Sequence, residues 1–371
     1  MTPEIIEFQT GLNYLKSQVK HLPKKPGVYR MFDADGQALY VGKAKWLSNR
    51  VTSYTQPNRL TNRLLRMVAE TRHLEITVTH SEVEALLLES NLIKKLKPRY
   101  NILLKDDKSF AYIIVTEDHP FPQLTKHRGT RRKAASYYGP FASASSVNKT
   151  LASLSRAFLL RNCSDSIFAS RTRPCLQYQI KRCTAPCVDK VAKTDYEKQV
   201  KAAKQFLSGY SDSVQRDYAT QMQNASDALE FETAAIWRNR IKALTAIQAN
   251  QDINLKSLHE ADIIAASISG GICCVQVFFI RNASNYGNTA FFPRTNNSKD
   301  IQSVLTAFIG QFYSDKIPAS LILVNERPRE VKLLESALSE QSGSKIEISK
   351  PERGDRRKIM TMAVRNAEEA L

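Results

Sequence analysis

The sequence lacks any long apolar run and any recognisable secretory leader. No stretch approaches the roughly 18 consecutive apolar residues that a membrane-spanning helix requires. The N-terminus carries Glu4 and Glu7 where a signal peptide has an apolar segment. Internal repeats and low-complexity tracts are absent as well, and an ordinary 24% of charged residues argues against wholesale disorder. The 371 residues therefore predict a cytoplasmic globular protein of two or three domains.

Acidic side chains are scarce in the first half of the chain. Residues 1–190 hold 31 basic and 15 acidic side chains, so they carry +16 of the net charge of +18. Residues 191–371 hold 23 basic and 21 acidic side chains and are nearly neutral. A surface that only kept the protein in solution would not need this asymmetry. The distribution indicates a polyanionic partner, such as a nucleic acid, that one half of the chain binds.

The cysteines show no CxxC spacing, although four of the six lie close together in the sequence. Cys163, Cys175, Cys183 and Cys187 are separated by 11, 7 and 3 residues. Without a secretory signal a disulfide framework is improbable, and four clustered thiols fit either a Cys₄ zinc site or a [4Fe–4S] cluster. The missing CxxC pair favours iron–sulfur, with zinc and free thiols as alternatives. The other two cysteines, at 273 and 274, lie in an apolar strand and are expected in a core.

A β-hairpin is predicted over residues 27–42, with an Asp- and Gly-rich turn at 33–36. A turn centred on residues 34 and 35 would place Tyr29 directly opposite Tyr40 on one face. Two neighbouring tyrosines can simply be a packed aromatic pair. The glycine at position 42 and Lys43 follow at once, and the glycine permits a close approach.

Helical patterns follow at 46–55, 59–70 and 81–97, the last with a capping box at its start and a proline after it. Arg50 and Tyr54 are four residues apart and share a helix face. Glu89 falls on the apolar side of the last helix, between Leu86 and Ile93. A carboxylate in that position is costly to bury unless a basic side chain or a metal ion pairs with it.

Phenols, a lysine, an arginine and one carboxylate in a basic domain suit phosphodiester cleavage. A hard divalent cation, Mg²⁺ or Mn²⁺, bound to Glu89 would polarise the phosphate, and Arg50 would offset the developing negative charge. A phenol whose pKa nearby cations lower could accept a proton from water.

The segments Gly27-Val28-Tyr29 and Tyr40-Val41-Gly42 resemble the paired motifs of the GIY-YIG nucleases. From about residue 20 onward the chain resembles the UvrC family of bacterial nucleotide excision repair. The resemblance implies metal-dependent hydrolysis on the 3′ side of a lesion in double-stranded DNA. It makes Glu89 the metal ligand and Tyr29 or Tyr40 the base or water-orienting group. Lys43 and Arg50 would stabilise charge, and Tyr54 and Asn101 would complete the pocket.

The segment around the four cysteines, from Arg173-Pro174-Cys175 through Ala185-Pro186-Cys187, also resembles that family. There the cysteines hold an iron–sulfur cluster, so the resemblance strengthens that alternative over zinc. Basic side chains near the cysteines and in the preceding loop are expected to contact DNA phosphates. These are Arg131, Arg132, Lys133, Arg173, Lys181 and Arg182.

Residues 195–250 read as helical, and their second half resembles the UVR motif, which implies binding to UvrB and, through it, to UvrA. One face of the last helix carries the expected contact residues, Phe231, Ala235, Arg238 and Ile241. The alternative is that this face packs against its own domain. A short two-helix unit buries little by itself, which favours a partner.

From residue 261 the pattern is βββαβαβα, the order of an RNase H-like unit. Asp262, Asp300 and Glu326 lie near but off the places of its metal-binding carboxylates, so we expect a catalytically inactive scaffold. The family would continue into a second nuclease domain and a helix-hairpin-helix module, which suggests a truncated chain. We predict a multidomain α/β fold with a GIY-YIG domain at 1–103, a basic Cys-rich region at 104–194, a UVR-like hairpin at 195–250 and the RNase H-like domain at 261–371. The alternative to an enzyme is a non-catalytic adaptor that binds DNA and UvrB.

Overall fold

A computed structural model describes residues 3–104, 110–130, 134–248, 258–281, 283–296 and 300–371. The helices are α1 (Pro3–Val19), α2 (Leu47–Ser53), α3 (Asn62–Glu70), α4 (Glu82–Leu96), α5 (Ala144–Phe158), α6 (Asp165–Ala169), α7 (Leu176–Gln179), α8 (Lys193–Leu207), α9 (Ser211–Asp227), α10 (Phe231–Gln248), α11 (Ile301–Phe312), α12 (Val331–Ser342) and α13 (Gly354–Glu369). The strands are β1 (Gly27–Phe32), β2 (Ala38–Ala44), β3 (His73–Val78), β4 (Ala111–Thr116), β5 (Leu124–Arg128), β6 (Ala135–Phe141), β7 (Glu260–Ser269), β8 (Ile272–Arg281), β9 (Ser284–Phe291), β10 (Leu321–Val324) and β11 (Glu347–Ser349). Within these ranges, no helix combines the length and the apolar character that crossing a bilayer would demand.

The chain divides into two compact units. The first comprises Met1–Asp107, Asp262–Val277 and Ala290–Leu371, and the second comprises Lys108–Ala261 and Phe278–Thr289. The N-terminal hundred residues therefore share a unit with most of the last hundred and ten.

The predicted hairpin forms, but its register differs from the prediction. Strands β1 and β2 pair with Tyr29 opposite Gly42 and Met31 opposite Tyr40, and the register shifts between Met31 and Phe32. The prediction that Tyr29 lies directly opposite Tyr40 is therefore wrong. The turn pairs Asp33 with Gln37, one residue away from the expected register, and the irregularity between Met31 and Phe32 adds a second. Since side chains alternate with a period of two, the two phenols still point to one face as diagonal neighbours. Strand β3 completes an antiparallel sheet in the order β2-β1-β3.

Two glycines of this sheet stand where no side chain fits. A Cβ at Gly42 would come within 2.3 Å of the Oη of Tyr29. A Cβ at Gly27 would lie 2.3 Å from the carbonyl oxygen of Thr77 on the neighbouring strand. Glycine is required at both positions because a neighbouring group lies too close for a Cβ. At Gly42 the missing side chain leaves space for the Tyr29 ring.

Helix α4 has the ends that its sequence predicts. The Ser81 hydroxyl accepts a hydrogen bond from the backbone N–H of Glu84 at 3.0 Å, so it caps the first turn. The Glu84 carboxylate reaches back to the backbone N–H of His80 at 2.8 Å. Lys97 ends the helix in the left-handed conformation, one residue before Pro98. The helix thus has a fixed length and presents a fixed face.

The C-terminal part has the predicted βββαβαβα order, from β7 to α13. Its five strands form one sheet in the order β11-β10-β7-β8-β9, with β10 parallel to both β11 and β7. The carboxylate of Asp262 is buried and accepts hydrogen bonds from the Tyr313 hydroxyl at 2.7 Å and from the Ala319 backbone at 3.1 Å. Asp300 caps α11 and Glu326 pairs with Lys350. All three acidic side chains thus make contacts within the C-terminal domain.

The second unit is built on the sheet β5-β4-β6. Helix α5 packs on this sheet, and α8, α9 and α10 pack around α5 and one another. The central strand of the sheet, β4, contains the apolar run of residues 112–115. A single hydrophobic core joins this sheet to the three later helices, with Phe158, Tyr196 and Leu244 among its fully buried members. The predicted boundary at residue 194 therefore crosses a continuous core.

Candidate active site

A cleft of about 720 Å³ opens in the first unit, beside β1, β2 and α4. Most of the side chains predicted to carry chemistry line it. These are Tyr29, Tyr40, Lys43, Arg50, Glu89 and Asn101. Tyr54 lies directly behind Tyr29. The structure thus brings together residues from two strands, two helices and a loop.

Three tyrosines and one arginine form a connected cluster at the base of the cleft. The phenolic oxygens of Tyr29 and Tyr54 are 2.7 Å apart, and both side chains are almost completely buried. Arg50 donates from its Nε to the Tyr29 oxygen at 3.3 Å, and its guanidinium lies 5.6 Å from the centre of the Tyr54 ring. The Tyr40 ring lies 6.1 Å from that of Tyr29. The predicted shared face of Arg50 and Tyr54 is confirmed.

The electrostatics of the phenols differ from the prediction. Burial raises the pKa of Tyr29 and of Tyr54 well above the ordinary value. For Tyr40 the neighbouring Tyr54 raises the pKa most, followed by burial and Glu89. Arg50 lowers the pKa of all three phenols, but its effect is smaller than that of desolvation. The expectation of a phenol with a lowered pKa is therefore wrong for the protein alone: these hydroxyls are neutral hydrogen-bonding groups.

Glu89 projects from α4 toward strand β2, as its place in the helix predicts. Its Oε1 accepts a hydrogen bond from the backbone N–H of Lys43 at 2.9 Å. Burial raises the pKa of Glu89 to about 7, and the Lys43 contacts offset only part of that rise. A carboxylate that is costly to ionise at the edge of a cleft is typical of a site that receives a cation.

Asn101 lines the cleft, but its side chain is hydrogen-bonded to the backbone of strand β2. Its side-chain amide accepts from the backbone N–H of Val41 and donates to the Val41 carbonyl, each at 2.8 Å. Its backbone oxygen accepts a hydrogen bond from Asn296. Asn101 therefore fixes the strand between Tyr40 and Gly42.

Sequence reasoning missed two acidic residues that contact Lys43. Glu82 lies 3.6 Å from the Lys43 ammonium, and Glu330 lies 2.7 Å from it. Helical periodicity could have found Glu82, because it precedes Glu89 by seven residues, or two turns. Glu330 is far away in the sequence, and no local signal marks it.

The four clustered cysteines are free and close enough to influence one another. Cys183 is buried, whereas Cys163, Cys175 and Cys187 are partly exposed. Burial, together with the charges of the other three thiols, raises the pKa of Cys183 to about 11. Among the residues described, no set of three or more Cys, His, Asp or Glu side chains is arranged to hold a metal ion.

The other predicted contact residues lie mainly on the surface. Arg173, Lys181 and Arg238 are exposed, and Arg182, Ala235 and Ile241 are partly buried. Phe231 is 66% exposed at the start of α10, and Leu229 just before it is 73% exposed. Residues 131–133, also predicted to contact DNA, lie outside the described residues.

Four family profiles match successive parts of the chain. They are a UvrC-like GIY-YIG domain at 25–102, the UvrC/Cho excinuclease middle domain at 110–206, a UvrB/UvrC motif at 212–247 and the UvrC ribonuclease H-like domain at 260–371. The order and the positions agree with the architecture described above.

Whole-chain comparison finds proteins called UvrABC system protein C. That of Paramagnetospirillum magneticum is 53% identical over 97% of this chain and 58% of its own length. That of Rhodospirillum rubrum is 53% identical over 97% of this chain and 56% of its own length. The chain thus spans a little over half the length of these relatives.

Among solved structures, the chain is similar to the GIY-YIG N-terminal endonuclease domain of UvrC from Thermotoga maritima, bound to its catalytic divalent cation, magnesium. The identity is 42%, over 24% of this chain and 94% of that one, with a TM-score of 0.22. With all four domain types present in order, and with about half of the residues identical to these relatives, the chain belongs to the UvrC family.

Proposed function

We propose that the chain is a metal-dependent nuclease that incises DNA on the 3′ side of a lesion during nucleotide excision repair. The observation that carries the proposal is the convergence of Glu89, Lys43, Arg50 and Tyr29 on one cleft. Membership of the UvrC family supports a nuclease of excision repair.

Glu89 is suited to hold a single Mg²⁺ or Mn²⁺. Mg²⁺ commonly takes one or two protein carboxylates and completes its shell with water and substrate phosphate, so one acidic ligand suffices. The carboxyl is partly buried, and its pKa, raised to about 7, reflects a cost of ionisation that a bound cation offsets. When bound, the cation supplies Lewis-acid polarisation of the phosphodiester.

The remaining residues position the reactants. Arg50 keeps its charge, because the neighbouring phenols raise its pKa, and it stabilises the negative charge that develops on the phosphate. Tyr29 and Tyr40 line the cleft as neutral phenols and orient the attacking water by hydrogen bonds. Tyr54 holds Tyr29 through the 2.7 Å contact, and Asn101 holds the strand that carries Tyr40.

Cys163, Cys175, Cys183 and Cys187 are proposed as the ligands of a [4Fe–4S] cluster. All four thiols are free, and in addition to burial the charges of the neighbouring thiols raise the pKa of Cys183 and Cys187, which supports a shared site. The described thiols are not yet arranged as a metal-binding group. Because Arg173, Lys181 and Arg182 flank the cysteines and suit phosphate contacts, we assign the cluster a structural role and no step of the reaction. Zinc is the alternative occupant.

The proposed partners are damaged double-stranded DNA and UvrB, with UvrA acting through UvrB. The exposed Phe231, in the residues that match the UVR motif, supports docking of a protein on α10. The exposed Arg173 and Lys181 suit contacts to phosphates. The proposed functional boundaries remain 1–103, 104–194, 195–250 and 261–371.

The test is incision of an end-labelled duplex with a single lesion, in the presence of UvrA, UvrB and Mg²⁺. We expect one cut, on the 3′ side, and no cut with Glu89→Ala, which should stay folded by circular dichroism. Stable binding to the UvrB–DNA complex without any incision would instead establish the non-catalytic adaptor.

A further inference from the structure

A loop of the RNase H-like domain reaches the proposed nuclease cleft. The cleft is lined by residues of α11 and of the loop before α12, as well as by those of the N-terminal sheet. Helix α4, which carries Glu89, packs against both α11 and α12. Gln311 fixes this contact by donating to the Ile102 carbonyl at 2.8 Å and accepting from the Leu104 N–H at 3.0 Å.

Within that loop, Glu330 has an unfavourable backbone conformation. Its φ is 57°, in the left-handed region that glycine and asparagine prefer. The preceding residue, Arg329, is fixed to α11, because its N–H donates to the Thr306 hydroxyl at 2.8 Å. Strained backbone at a non-glycine residue persists only where surrounding contacts enforce it, and such residues are common at functional sites.

The side chain of Glu330 does not cap helix α12, although it stands at the N-cap position. It precedes the first turn of α12, where a carboxylate commonly caps the free N–H groups, yet it makes no capping hydrogen bond. It contacts Lys43 instead, at 2.7 Å. The Lys43 side chain is only 10% exposed, whereas that of Glu330 is 52% exposed, so Glu330 is the partner in this pair that solvent reaches.

We propose that Glu330 competes with the DNA phosphate for Lys43, so that the Glu330–Lys43 ion pair must break before the substrate enters the cleft. The inference rests on the proposed nuclease function of this cleft. The ammonium that would bind a phosphate is already paired with an anion supplied by another domain. The Glu330 carboxylate is 52% exposed, so water can solvate it when a polyanion displaces it from Lys43. The pair thus disfavours weak, non-specific substrates.

Zero-length crosslinking of the full chain with a carbodiimide tests the pairing directly. The reagent should join Lys43 to Glu330 in the free protein, and the yield should fall at least about fivefold with saturating duplex DNA if phosphate replaces the carboxylate. The Glu326–Lys350 pair, at 2.9 Å and away from the lining of the cleft, provides the internal control and should crosslink equally with and without DNA. An unchanged Lys43–Glu330 yield with bound DNA, or no such crosslink in the free protein, would overturn the proposal.

Binding of a fluorescent duplex gives a second, independent measure. Removing one competing ion pair with Glu330→Gln should tighten binding about threefold to fivefold at low salt, and the gain should vanish at high salt. Glu330→Gly, which suits the left-handed backbone, should show the same gain, while Glu326→Gln should bind like the parent protein. Equal affinity of Glu330→Gln and the parent at low salt would contradict the competition.

The two proposals fail separately. A crosslink that DNA removes, in a protein that never incises DNA, would uphold the competition and refute the nuclease. Incision together with a crosslink that DNA leaves intact would do the reverse.

Discussion

The hydroxyls of Tyr29 and Tyr54 meet at 2.7 Å, although one lies on a strand and the other just after a helix 25 residues later. Arg50 donates to the same Tyr29 oxygen. The contact fixes the phenol that lines the cleft, because it leaves the Tyr29 ring no freedom to turn away.

Tyr29→Phe removes this hydroxyl and keeps the ring. If the phenol orients water, incision should fall about 100-fold, the lower end for groups that assist proton transfer. Measured with the labelled lesion duplex under single turnover, the loss should appear in the rate and not in DNA affinity. Tyr14→Phe is the matched control, because its hydroxyl accepts from the Leu74 N–H in the same domain, outside the cleft. A full rate with Tyr29→Phe would contradict the assignment.

Glu89→Gln should change stability in a pH-dependent way. Burial raises the pKa of Glu89 from 4.5 to about 7, so the folded state favours the protonated form. The contribution of the protonated Glu89 carboxyl to the free energy of unfolding is fully present below about pH 4.5 and is lost as the pH rises through about 7. The neutral glutamine avoids this loss, and the variant should exceed the parent at pH 8 by up to about 3 kcal/mol.

Thermal unfolding of both proteins without divalent cations, at pH 5 and pH 8, measures this effect. The midpoints should nearly coincide at pH 5 and separate at pH 8, with the variant higher. The same difference at both pH values would show that ionisation of Glu89 is not its cause. Added Mg²⁺ should stabilise the parent protein and leave Glu89→Gln unchanged.

Gly42→Ala should destabilise the N-terminal domain. The added Cβ would lie 2.3 Å from the Tyr29 hydroxyl and 2.9 Å from the Tyr40 ring, so both rings would have to shift. Overpacking of this kind typically costs about 1–3 kcal/mol, which denaturant unfolding resolves. Gly36→Asn in the same hairpin is the control, since nothing lies within 4 Å of that site and asparagine tolerates its φ of 76°. Equal stability of Gly42→Ala and the parent would show that the rings adapt freely.

Phe231→Ala should weaken binding to UvrB without unfolding the hairpin. The side chain is 66% exposed, so its removal leaves no cavity, whereas a buried aromatic contact at an interface is commonly worth about 2 kcal/mol or more. Titration by calorimetry should show a Kd raised roughly 30-fold. Tyr210→Ala, equally exposed but outside the residues that match the UVR motif, should bind normally. Unchanged affinity for Phe231→Ala would favour the alternative that this face of α10 packs against its own domain.

The cysteine cluster predicts metal content. Protein purified without oxygen should contain about four iron atoms and absorb near 400 nm if the four thiols hold a [4Fe–4S] cluster. Cys183→Ser should lose both, and Cys273→Ser should retain both, because Cys273 is buried in strand β8. Stoichiometric zinc in place of iron would exclude the iron–sulfur cluster.

The sequence by itself determined the hairpin, the helices that carry the cleft residues, the βββαβαβα order of the C-terminal part and most of the cleft. Periodicity located α4 and placed Glu89 on its inner face, and the i,i+4 spacing joined Arg50 to Tyr54, because these relationships are local to one helix. The hairpin was found, but its register was not, since an irregularity near a turn depends on packing that no short pattern records.

Only the tertiary structure decided how the site is charged and what covers it. Desolvation raises the pKa of the phenols, although the nearby cations had suggested the opposite, because burial is a property of the whole fold. The Asn101 side chain is hydrogen-bonded to the backbone of Val41, which lies 60 residues earlier in the chain. Glu330 came to Lys43 from a distant domain, since an ion pair between remote segments leaves no periodic trace in the chain.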